Sequence, residues 1–156
     1  MKPELVLILF ILLIIVARLF YKPVKKNSHA GSNYSRLNSV GFNIYNETRN
    51  FTLAATSLTG DFESPFPREE QHIISPGGET GFQVETSTCP NLYSCVGKAI
   101  ATFSILNSQN VSEGTVIITM EYTETIWYSV DAKMTADVSG PVAAVTSKRY
   151  VEIRNL

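Results

Sequence analysis

The side chains able to do acid–base, nucleophilic or metal chemistry are few and scattered. Histidine occurs twice, at His29 and His72. A catalytic histidine needs a nucleophile or a carboxylate within hydrogen-bond reach, and no elbow or triad signature accompanies either one. Asp61, Glu63, Glu69 and Glu70 crowd one segment, and they are the hard oxygen donors that a divalent cation or a carboxylate pair would use. Their spacing matches no calcium loop. Pro65 and Pro67 between them restrict the backbone without converging the carboxylates, so the segment reads as a solvated acidic loop. Pro76-Gly77-Gly78-Glu79-Thr80-Gly81 is glycine-rich, but it lacks the spacing, the lysine and the following helix of a phosphate cradle. It reads as a turn.

Cys89 and Cys95 enclose five residues. In an oxidising compartment such a pair can close a small disulfide loop, and in the cytosol it stays as two thiols. Two cysteines with neither histidine nearby are too few for a zinc site. The expectation is therefore no catalytic residue, no metal site and no cofactor.

Recognition has better candidates than conversion. Trp127 alternates with Ser129, Asp131 and Lys133 on the polar side of an extended run, whereas Tyr128 falls in the apolar row. A tryptophan on a polar face can anchor a partner protein or sit at a lipid headgroup boundary, and packing beneath a loop or second sheet is the structural alternative. Phe62 and Phe66, in Asp61-Phe62-Glu63-Ser64-Pro65-Phe66-Pro67, mark a second candidate contact loop for a partner or lipid.

The element that must position all of these lies at the start. Leu5 to Tyr21 is apolar except for Arg18, and the thirteen residues from Leu5 to Ala17 carry no polar side chain. As a helix the run would be roughly 25 Å long, close to the hydrocarbon thickness of a bilayer. A cleavable signal requires small residues shortly after the apolar core, whereas Arg18-Leu19-Phe20-Tyr21-Lys22 is bulky and basic. Residues 1–21 therefore read as an uncleaved transmembrane anchor, with Arg18, Tyr21, Lys22, Lys25 and Lys26 at the membrane interface. These basic residues outweigh Lys2 on the other flank, so the positive-inside rule places the following domain on the cytoplasmic side. Four N-x-S/T matches, beginning at Asn33, Asn46, Asn50 and Asn110, would matter on the opposite, glycosylating side. Residues 22–39 are polar, rich in Ser and Asn, and read as a linker.

The chain is 156 residues long, 44% hydrophobic, with a net charge of −1. This near-neutral balance offers no basic face for nucleic acid. Residues 40–156 suffice for one domain, and their dominant signal is period two. Strands are expected over Gly41–Tyr45 and Phe51–Leu58, paired as a hairpin across a polar turn at Asn46–Asn50. After a long proline-rich loop, further strands are expected over Gly81–Thr86, Lys98–Leu106, Thr115–Tyr122, Thr125–Met134, Val142–Thr146 and Arg149–Arg154. With no convincing helix after the anchor, the fold class is all-β: an antiparallel β-sandwich of seven to eight strands, jelly-roll-like, preceded by one N-terminal transmembrane helix.

Asn43-Ile44-Tyr45-Asn46-Glu47-Thr48, then Leu53 to Ser57 running into Leu58-Thr59-Gly60-Asp61-Phe62, then Ile74-Ser75-Pro76-Gly77-Gly78 before Gly81-Phe82, resemble the rhythm of aegerolysin-like β-sandwiches. The resemblance covers residues 42–86, under a third of the chain. It implies a sandwich that binds membrane lipids, as those proteins do, some of them assisting pore formation. This chain departs from the pattern in its anchor, its single tryptophan and a C-terminal half less rich in aromatics. The function expected is that of a non-enzymatic, single-pass membrane protein that binds a partner as a subunit of a membrane-associated assembly. A minor structural protein of a membrane-containing virus is one such role. The alternative is a lipid- or glycan-binding, aegerolysin-like module.

Overall fold

In the computed structural model, the residues described are 39–91, 93–125 and 130–156. The anchor, its basic flank, the linker to residue 38, and Trp127 lie outside them. Among the described residues, no helix is long and apolar enough to cross a membrane.

Among the described residues ten strands form two sheets. The first has the order β4-β1-β10-β9, built from Glu79–Glu85, Ser39–Asn46, Tyr150–Asn155 and Val142–Thr146. The second runs β3-β2-β6-β7-β8, built from Ile73–Ile74, Thr52–Gly60, Ser94–Leu106, Ser112–Thr125 and Val130–Ser139. Strand β5, Thr88–Asn91, pairs beside β6. The described residues thus form an all-β sandwich.

Side-chain alternation explains the core. Val40, Phe42 and Ile44 of β1, Phe82 and Val84 of β4, and Val151 and Ile153 of β10 point inward from the first sheet. Ala99, Ala101, Phe103 and Ile105 of β6 meet them from the second sheet, together with Val116, Ile118, Met120 and Tyr122 of β7. Burying each large apolar side chain contributes about 1.5–3 kcal/mol, which is what holds two sheets face to face. The alanines of β6 and Gly97 admit close approach: a Cβ on Gly97 would lie 2.2 Å from the Glu85 carbonyl oxygen, where β6 passes β4. In β2 a bulge at Thr56 shifts the period, so that Leu53 and Leu58 both face inward although five residues apart.

Several expectations need correction. The sandwich is not wholly antiparallel, because β1 pairs with β10 in parallel, Asn43 to Asn46 lying opposite Tyr150 to Ile153. It also has ten strands, since Ile73–Ile74 and Thr88–Asn91 add two short ones. The β1–β2 hairpin does not form: the two strands belong to different sheets. The reason is the buried polar corner between them. Asn46 is 0% exposed, and its Nδ2 donates to the carbonyls of Phe51 and Ile74, both at 2.8 Å. Its Oδ1 lies 2.7 Å from the Thr48 hydroxyl, whose single proton is shared between that oxygen and the Phe51 carbonyl at 2.9 Å. These bonds satisfy the backbone groups of a chain passing between sheets, which in a hairpin the two strands would have paired with each other.

The run Thr125–Met134 is also not one strand. Thr125 ends β7 and Val130 begins β8, with Glu124 opposite Val130. Ile126 to Ser129, which lie outside the described residues, contain no glycine, proline or asparagine.

Candidate functional site: an aromatic row ending at Phe66

After β2 the chain crosses to the edge of the first sheet. The Asp61 N–H donates to the Lys98 carbonyl at 2.9 Å, and Asp61 Oδ2 accepts from the Lys98 N–H at 2.9 Å, holding the exit of β2 against β6. Phe62 then bridges to Val84, the Glu63 N–H donates to the Gln83 carbonyl, and the Glu85 N–H donates to the Asp61 carbonyl. Residues 61–63 therefore lie along β4 as an extra rung of sheet. Glu63 accepts from the Ser39 hydroxyl at 3.0 Å.

This latch turns Phe62 inward. At 4% exposed, Phe62 is a core residue and presents no surface to a partner, a correction to its reading as a contact. Its ring lies 5.2 Å from Phe82, which stacks on His72 at 4.3 Å. On its other side Phe62 meets Phe66 edge-on, with centroids 5.4 Å apart. Phe66, 52% exposed, is the outer end of this four-ring row. Edge-to-face pairs add about 0.5–1.5 kcal/mol beyond burial, so the row holds Phe66 in place while leaving half of it open to solvent. The bond between Ser64 and Pro65 is cis.

His72 closes the other end. Its Nδ1 lies 2.7 Å from the Thr80 hydroxyl, and burial lowers its pKa below the ordinary value of 6.5. The ring is packed and bonded as part of the core margin. Asp61 and Glu63 are engaged in the latch, while Glu69 and Glu70 form an exposed single turn of 3-10 helix, Glu69–Gln71. Among the described residues no group of three or more His, Cys, Asp or Glu side chains is gathered to hold a metal ion. Gly77 and Gly78 turn the chain back, the Gly77 N–H donating to the Asn46 carbonyl and the Asn46 N–H to Gly78.

Cys89 and Cys95 are bonded to each other, clipping the short β5–β6 hairpin. Elsewhere, a broad cleft of about 780 Å³ is lined by Glu47, Arg49, Asn50, Arg154, Asn155 and Leu156. It is polar, and Arg154 is already paired with Glu152. Sequence reasoning missed the burial of Asn46 and Thr48. Their hydrogen-bonding types in a turn were visible, but not the Ile74 carbonyl that closes over them. No family model, curated protein or solved structure matches the chain.

Proposed function

We propose that this chain is a non-enzymatic, single-pass membrane protein whose β-sandwich binds a protein partner as a subunit of a membrane-associated assembly, such as a minor structural protein of a membrane-containing virus. The observation that carries the reading is Phe66: a half-exposed aromatic backed by three further rings on a latched loop. Rigid aromatics of this kind cost little entropy on binding and dominate contact energetics where they are surrounded by polar groups. Glu63, Arg68, Glu69 and Glu70 supply such groups in the adjoining sequence. The apolar run Leu5–Tyr21 supplies the anchor.

The side of the membrane is proposed from the charge count, which puts the domain on the cytoplasmic face. The Cys89–Cys95 bond pulls the other way, because cytosolic thiols are kept reduced. Digestion of the domain by protease added to intact cells would reverse the assignment.

The functional test is affinity recovery of the full chain from detergent-extracted membranes, with Phe66→Ala and Trp127→Ala in parallel. Loss of co-recovered protein with Phe66→Ala supports the proposal. An unchanged set of partners with both variants sinks it. Loss of liposome binding by the domain freed of residues 1–38, with the recovered proteins unchanged, would instead favour the lipid-binding alternative.

A further inference from the structure

Sheet edges are where a β protein either invites or refuses a neighbouring strand, because each carries a row of unpaired N–H and C=O groups. Four edges here are guarded. Residues 61–63 cover the Gln83–Glu85 end of β4, β3 is two residues long, and β5 is four residues long and tied by the Cys89–Cys95 bond. Strand β8 carries exposed Asp131, Lys133 and Asp137. Strand β9, Val142-Ala143-Ala144-Val145-Thr146, has no charge and no proline. Among the described residues it pairs with β10 alone.

Its hydrogen-bond parity can be worked out. The Leu156 N–H donates to the Pro141 carbonyl and the Ser147 N–H to the Tyr150 carbonyl. In an antiparallel ladder bonded pairs alternate, so Ala143 and Val145 are the residues bonded to β10. Val142, Ala144 and Thr146 therefore direct their backbone groups away from β10. Val142 is buried and Ala144 packs on the core, while Thr146 at the end of the strand is exposed. Val145 is 47% exposed on the outer face.

We propose that β9 is a self-association edge, at which a second copy of this chain pairs antiparallel about a two-fold axis through Ala144. The two four-stranded sheets then become one of eight. The strand fits itself in three ways. A two-fold at Ala144 puts Ala144 opposite Ala144 and Val142 opposite Thr146 as bonded pairs, using the three residues whose groups point outward. It sets exposed Val145 against Ala143 of the other copy, so the apolar side chain is covered by a small one. No like charges meet, because Lys148 and Arg149 fall beside the uncharged Gly140 and Ser139 of the other copy. Self-pairing of β8 would instead bring together two strands bearing Asp131, Lys133 and Asp137.

The test uses the full chain in detergent. Light scattering across a dilution series should give a dimer. Ala144→Pro removes an outward N–H without touching a β9–β10 bond, and Val145→Lys adds a charge at an exposed position. Each should raise the dimer dissociation constant at least roughly tenfold. Register is read by oxidising a mixture of Ala143→Cys and Val145→Cys chains. These positions face each other across a non-bonded pair, where Cα atoms lie about 4.5 Å apart and a disulfide can form. The mixture should give a covalent dimer containing one chain of each kind, in clear excess over either variant alone. A monomeric wild-type chain, or cross-linking no greater in the mixture than in the separate variants, overturns the proposal. So does a dimer indifferent to both Ala144→Pro and Val145→Lys.

Discussion

Replacing Asn46 by alanine tests whether the corner between the sheets is held by hydrogen bonds or by the apolar core around it. In the native corner Nδ2 serves two buried carbonyls and Oδ1 serves Thr48. After Asn46→Ala, the Phe51 carbonyl keeps the Thr48 hydroxyl as a donor, but the Ile74 carbonyl loses the side-chain donor. Three side-chain bonds are lost, each worth about 0.5–1.5 kcal/mol. The sum is about 3 kcal/mol, a large part of the roughly 5–15 kcal/mol that holds a domain of this size together. With a urea dependence of about 1.5 kcal/mol per molar, the unfolding midpoint of the unit beginning at Arg36 should fall by about 2 M. Asn46→Asp sharpens the test. It keeps the size and the Oδ1 acceptor, but turns the donor into an oxygen facing two carbonyl oxygens, so it should destabilise at least as much and more severely as pH rises from 4 to 7. A loss under about 1 kcal/mol in Asn46→Ala, or an aspartate variant as stable as the wild type at pH 7, would refute the reasoning.

The two phenylalanines of the latch should separate stability from recognition: Phe62→Ala should cost about 3–5 kcal/mol in urea unfolding, as large-to-small core changes do. Phe66→Ala should cost about 1 kcal/mol or less, because half of it is already in water. For His72, burial makes the folded chain bind the proton less readily than the unfolded chain, whose imidazole titrates near 6.5. Stability should therefore decline as pH falls through and below that value, and His72→Gln should flatten the decline between pH 7.5 and 5 in unfolding midpoints. If the domain is routed into a glycosylating lumen, exposed Asn50 and Asn110 should accept glycans while buried Asn46 should not. Glycopeptide mass spectrometry would read this directly, and a glycan on Asn46 of folded protein would contradict the structure.

The strands were legible where alternation was clean. Ala99, Ala101, Phe103 and Ile105, and then Val116, Ile118, Met120 and Tyr122, could be assigned to one face by counting in twos, and they are buried together. Pairing was less legible, because register with a distant strand leaves no local mark. Nothing in Asn43–Asn46 announces a partner more than a hundred residues away at Tyr150. Two strands separated by a short polar turn look like a hairpin, and only the Ile74 carbonyl over Asn46 explains why β1 and β2 part company. Phe62 looked exposed because prolines and acids surround it. Its burial depends on backbone bonds to Gln83 and Glu85, which have no sequence signature. Phe66, in the same segment, has the exposure expected of a contact residue.

The parallel pairing of β1 and β10 has a mechanical consequence. A pull entering at residue 39 and resisted at the far end of β10 runs along both strands in opposite senses, so the rungs from Asn43–Tyr150 to Asn46–Ile153 share the load at once. An antiparallel pair gripped at neighbouring ends would open one rung at a time, like a zipper. A pull through the first strand therefore loads this pair in shear. In a single-molecule pulling experiment, force applied through residue 39 and Leu156 should meet a higher rupture threshold than the same force applied across the β7–β8 hairpin.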